Sequence, residues 1–138
     1  MRNKLLLSAV IFFIVLIARS QNRYDCDYLK PLLFSLEKQW TNNRTINFVF
    51  HGNSVPSGHF NNPYVNTLKG YPHLKLCYLK ERFPYAVINV IITAIGGKQS
   101  EQRAVRFKDE VLIMRPDVLF FDYELNDRAI GLERAGVA

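Results

Sequence analysis

The sequence predicts an α/β fold, a three-layer α/β/α arrangement around a parallel sheet. Two observations carry this. Residues 46–50, 86–92 and 118–121 are short runs rich in β-branched and aromatic side chains, the composition of buried strands. The intervals between them hold apolar residues at helical spacing, bounded by helix start and stop signals. Strands that alternate with helices imply parallel neighbours joined by right-handed crossovers, with helices on both faces.

Ahead of this pattern, residues 1–20 read as a secretory leader. Arg2 and Lys4 give a basic start, residues 5–18 are almost unbroken apolar sequence, and Ala18-Arg19-Ser20 offers small residues before a cut at Gln21. An uncleaved anchor is the competing reading, but the apolar stretch is short against the ~20 residues that span a bilayer. The expectation is an exported chain of residues 21–138, periplasmic or extracellular, with no stable membrane insertion after cleavage. Cys26 follows Arg23-Tyr24-Asp25, so no lipoprotein signal is present. Cys26 and Cys77 could pair in an oxidising compartment or remain separate thiols.

The formal net charge of +6 invites a nucleic-acid partner, yet Arg2, Lys4 and Arg19 belong to the leader. The remainder has no Lys/Arg run and no basic stripe interleaved with aromatics, so no nucleic acid is expected.

Residues 27–40, with Pro31 in the first turn and Tyr28, Leu32, Phe34, Leu36 and Trp40 as apolar positions, predict an irregular helix covering the edge or end of the sheet. The first strand, at 46–50, lies between Asn42-Asn43 and Gly52-Asn53-Ser54, and a long loop runs through Pro56, Gly58, Asn61, Asn62 and Pro63. A helix starts near Pro72, presents Leu74, Cys77, Tyr78 and Leu79, and stops at Pro84. The run at 86–92 reads as a strand covered on both faces.

Ser100 can cap one helix with Ala104, Phe107, Val111 and Met114 on its inner face, ending by Pro116. The third strand is apolar on both faces, and another helix begins near Asp127. As a last strand it would be an exposed, adhesive edge, so the fold is expected to be incomplete at the C-terminus, with further strands downstream.

In open parallel sheets the ligand crevice lies beyond the carboxyl ends of the strands. The loops there read Gly52-Asn53-Ser54-Val55-Pro56-Ser57-Gly58, Gly96-Gly97-Lys98-Gln99-Ser100 and Glu124-Leu125-Asn126-Asp127. Together they offer a hydroxyl nucleophile on a tight turn, a glycine whose bare N–H can approach an oxyanion, and a side-chain amide that can donate as well.

Residues 46–137 resemble the SGNH (GDSL-like) hydrolase family, which has a flavodoxin-like fold. Gly52-Asn53-Ser54 with Gly58 is similar to the family's Gly-Asp-Ser-x-x-x-Gly block, Gly97 with Ser100 to its second block, and Leu125-Asn126-Asp127 to the end of its Gly-x-Asn-Asp block. The resemblance implies an esterase domain over 21–138 with Ser54 as nucleophile. It implies an oxyanion hole made of the Ser54 N–H, the Gly97 N–H and the Asn126 amide, with Gly52, Asn53 and Gly58 supporting the nucleophile loop. No cofactor and no metal are implied, and the substrate is a small ester or an acylated carbohydrate.

Three departures stand out. Asn53 replaces the family's Asp, and Glu124 replaces its Gly. The Asp-x-x-His that orients and supplies the general base has no counterpart, so the chain alone is expected to be inactive. His51 and His59 lie near Ser54 in sequence without a spacing that implies base geometry, and His73 reads as a surface residue.

Other classes fit less well. No Gly-x-Gly-x-x-Gly or Gly-Lys-Ser/Thr phosphate loop occurs, and Pro56 breaks the Gly-x-Ser-x-Gly elbow. The scattered histidines and cysteines lack metal-ligand spacing. The alternative that remains is a non-catalytic carbohydrate-binding or remnant protein of the same fold.

Overall fold

The structure, a computed structural model, describes residues 26–61 and 63–128. The expected leader at 1–20 and whatever continues beyond Arg128 lie outside the described residues. Two compact units divide the chain, Met1–Pro31 and Leu32–Ala138. In the first, Cys26–Leu29 forms a 3-10 turn and Asp27 pairs with Lys30. Among the described residues no helix is long and apolar enough to cross a membrane.

In chain order the elements are α1 (Lys30–Glu37), β1 (Thr45–Gly52), α2 (Ser54–Ser57), β2 (His59–Asn61), β3 (Tyr64–Val65), α3 (Tyr71–Arg82), β4 (Val87–Ile92), α4 (Ser100–Ala104), α5 (Phe107–Glu110), β5 (Val118–Asp122) and α6 (Glu124–Asp127). Strands β4, β1 and β5 form one parallel sheet in that order, with Phe48 opposite both Val90 and Val118. The α/β class with a parallel sheet is therefore as the sequence predicts.

Side chains alternate along β1, so Phe48 and Phe50 face one way and Val49 and His51 the other. On the first face Phe50 stacks on Phe120 with centroids 4.5 Å apart and meets Tyr71 of α3 edge-on at 5.5 Å. Leu36, Ile46 and Ala86 complete that core, with Leu32, Leu79 and Phe83 packed against it. On the second face Phe107 of α5 stacks on Phe121 at 5.5 Å, above a fully buried Val111. At the start of the sheet Asp117 accepts from the Asn47 N–H at 2.8 Å and from Arg44 at 2.7 and 3.0 Å. The Arg44 guanidinium holds the Asp117 carboxyl below its usual range.

Several expectations need correction. The strand covered on both faces is β1, which takes the centre; β4 is an edge, with Val87 and Asn89 exposed. Strand β5 is the other edge among the described residues, and Phe121 on it is 61 % exposed. Helix α3 starts at Tyr71 and gives way to Phe83 before Pro84, near the expected limits, but buries a different face. Leu74, Cys77 and Tyr78 are exposed, while Tyr71, Leu79 and Phe83 pack inward and Lys75 lies over the Phe120 ring. That stripe follows four-residue steps and admits a lysine by its apolar stem, which a count of apolar residues misses.

Cys77 is a free, exposed thiol. Helix α1 ends at Glu37, leaving Trp40 outside it and 85 % exposed.

The single helix expected from Ser100 to Pro116 is broken into α4, α5 and a 3-10 turn at Leu112–Met114. Its inward residue at 103 is arginine, 4 % exposed, whose guanidinium donates to the Thr93 carbonyl at 2.8 Å and pairs with Glu110. Phe107 and Val111 point inward, but Ala104 and Met114 do not.

Candidate active site

The loop that carries Ser54 is shaped by two glycines. Gly52 ends β1 beside β5 so closely that a Cβ there would lie 2.4 Å from the Asp122 carbonyl oxygen. Gly58 has φ of +85° at the end of α2, a left-handed turn that other residues adopt at a cost. Between them, buried Asn53 caps α2, its Oδ1 accepting the Val55 N–H at 2.9 Å while its own N–H donates to Asp122 at 2.9 Å. The substituted amide thus keeps the turn chemistry, and its Nδ2 is buried without a partner among the described residues.

Ser54 is the first residue of α2, half-buried. First-turn N–H groups of a helix have no acceptor within it, so the Ser54 N–H is free of the helix's own hydrogen bonds.

The second and third loops are laced to each other. Asn126 Nδ2 donates to the Lys98 carbonyl at 2.8 Å, and Asp127 Oδ1 accepts the Ser100 N–H at 2.9 Å. An amide nitrogen carries two hydrogens, so Asn126 keeps one to donate elsewhere. Gly97 has φ of +73° with open space on the side where a Cβ would stand. The cap of α4 comes from Asp127, and the Ser100 hydroxyl is buried without a partner among the described residues, contrary to the expectation that Ser100 caps that helix itself. Glu124 is exposed and reaches toward Arg128 at 3.9 Å, so its carboxylate does not line the cleft.

Ser54, Gly97 and Asn126 line a single open cleft of about 870 Å³, together with His59, Phe60, Asn61, Ile95 and Gly96. The three loops therefore meet. His59 packs its ring against Gly96, where a Cβ would lie 2.9 Å from Cε1.

His51 belongs elsewhere. It is 1 % exposed on the second face, its Nδ1 2.7 Å from Thr93 Oγ1, and ringed by Phe107, Phe121 and Tyr123. Burial, helped by the Arg103 charge, pushes its pKa below the usual histidine value. Burial and the nearby Asp122 carboxylate push the Tyr71 hydroxyl up to about 12.

Sequence reasoning missed the hairpin that brings Phe60 and Asn61 to the cleft. The signal was Asn61-Asn62-Pro63, a turn sequence inside what reads as one long loop.

No protein-family model and no curated protein sequence matches this chain. Solved structures do. A two-domain esterase, CEX, active on acetylated mannans is similar with a TM-score of 0.60 and 21 % identity over 74 % of this chain and 26 % of that one. The same esterase co-crystallised with mannopentaose gives 0.62 and 22 % over the same shares. An acetyl xylan esterase from Geobacillus stearothermophilus gives 0.51 and 19 % over 65 % of this chain and 46 % of that one. The chain thus spans about a quarter of the two-domain esterase and under half of the xylan esterase, and what it shares with them is the fold.

Proposed function

We propose that residues 21–138 are part of a serine ester hydrolase domain of the SGNH type, exported by the leader at 1–20 and acting on an acylated carbohydrate. The observation that carries this reading is the convergence of Ser54, Gly97 and Asn126, from three separate strand ends, on one cleft. The carbohydrate substrate is supported by the esterases of similar fold that act on acetylated mannans and on acetyl xylan.

In this reading Ser54 Oγ attacks the ester carbonyl carbon. The carbonyl oxygen gains negative charge, met by the Ser54 N–H, the Gly97 N–H and the second Asn126 amide hydrogen. Collapse expels the alcohol and leaves the acyl group on Ser54, from which water removes it.

Each half-reaction needs a base to take a proton and return it to the leaving oxygen. His51 is across the sheet and held neutral by burial, and His59 is packed on Gly96. We infer that none of the described histidines supplies this base, and the chain alone is expected to turn over esters negligibly.

Free imidazole tests this. With imidazole as the external base, the chain should hydrolyse p-nitrophenyl acetate faster than imidazole alone, and Ser54→Ala should abolish the excess. Equal rates for the two proteins would remove Ser54 from the reaction. Ser54-dependent turnover without imidazole, lost in His59→Ala, would overturn the placement of the base.

A further inference from the structure

A second cavity, of about 290 Å³, adjoins the Ser54 cleft, and the two share His59 and Phe60. Tyr64, Asn66, Lys69 and Tyr71 also line it. Phe60 and Tyr64 stand on the β2–β3 ribbon with 85 % and 58 % of their surfaces open to solvent. Neither contributes to the core, and both line this cavity.

The platform is anchored. The Tyr64 hydroxyl accepts from Asn66 Nδ2 at 3.3 Å, Asn66 Oδ1 accepts the Lys69 N–H at 3.2 Å, and the Asn66 N–H donates to Gly58 at 2.8 Å. Gly58 ends the helix that Ser54 begins, so this bond ties the aromatic ribbon to the Ser54 helix.

We infer that this cavity is a pyranose-binding subsite, holding the sugar unit next to the one whose ester is cleaved; the inference rests on the esterase reading of the adjoining cleft. A pyranose ring has an apolar C–H face and a rim of hydroxyls. Phe60 and Tyr64 supply flat apolar surface for the face, and the Asn66 amide and Lys69 ammonium supply donors for the rim. An acyl chain offers no hydroxyl to the second Asn66 amide hydrogen or to the Lys69 ammonium, which favours a sugar over a lipid occupant.

The test is binding of unacylated mannopentaose and xylopentaose to the full chain, by calorimetry or by NMR of the aromatic signals. At least one oligosaccharide should bind, with Kd raised about tenfold or more, or ~1.4 kcal/mol, in Phe60→Ala and in Tyr64→Ala. Phe60→Tyr and Tyr64→Phe, which keep the flat ring, should bind close to the parent. Both alanine changes are at exposed sites, and an unchanged thermal midpoint would show that each variant folds.

The proposal fails if neither oligosaccharide binds, if the alanine variants bind like the parent, or if octanoate shifts the Tyr64 signals and the sugars do not. Failure of the underlying reading is distinct. Sugar binding that depends on Phe60 and Tyr64, with imidazole-assisted hydrolysis indifferent to Ser54→Ala, would keep the subsite and remove the esterase.

Discussion

On one face of the sheet Phe48, Phe50 and Phe120 stack with Leu36, Ile46 and Ala86 into a dry core; on the other, β1 buries His51 beside the Arg103–Glu110 pair and Tyr123. The two faces share a strand, and their side chains differ only by its alternation. The first face is held by apolar area, which any residue of suitable shape supplies. The second is held by polar groups that must find specific partners: Thr93 offers its hydroxyl to His51 and its carbonyl to Arg103, and Glu110 takes both Arg103 and Arg106. An open pocket of about 370 Å³ on this face is lined by His51, Arg103, Phe107, Phe121 and Tyr123.

Four variants sharpen the contrast, each read from the urea midpoint. Phe50→Ala should be the most damaging, at roughly 3–5 kcal/mol, because it opens a cavity in the aromatic stack. Arg103→Ala should cost about 3 kcal/mol by leaving the Thr93 carbonyl without its donor and Glu110 with Arg106 as its remaining cation, and Arg103→Met with Glu110→Leu should recover most of that loss. If the double variant were no better than the single one, the second face would owe its stability to something other than this pair. Asn53→Ala removes the cap of α2 and should cost about 1 kcal/mol.

The smallest effect is a slope. The pKa of His51 is lower folded than unfolded, so the unfolded chain binds the extra proton first. Its contribution is present above pH 6.5, the unfolded value, and is lost as pH falls from there through the folded value. His51→Phe should flatten that part of the stability profile while leaving the basic side unchanged.

The same contrast explains what could be read from the chain. The three strands were legible because runs such as 86–92 have little use outside a sheet, and the three loops because Gly, Asn and Ser punctuate them. Which strand took the centre was not legible, since β1 and β4 are equally apolar and the order β4-β1-β5 is set by pairing between distant segments. The break after α4 was hidden because Arg103 reads as a surface residue until Glu110 and Thr93 are seen around it.

At the cleft, the loops that carry Ser54, Gly97 and Asn126 were legible from local turn chemistry. Their mutual lacing was not, because Asp127 caps a helix that begins 27 residues earlier.

The convergence of the three loops is tested most directly by trapping. A p-nitrophenyl methylphosphonate, with imidazole taking the proton, should lose p-nitrophenolate to Ser54 Oγ and leave one phosphonyl group, located by mass spectrometry of the digested protein. The adduct is expected on Ser54, and Asn126→Ala should slow its formation by roughly 100-fold, the size of effect seen when one oxyanion donor is lost. Labelling at another residue, or labelling of Ser54 in Asn126→Ala at the parent rate, would contradict a shared oxyanion site.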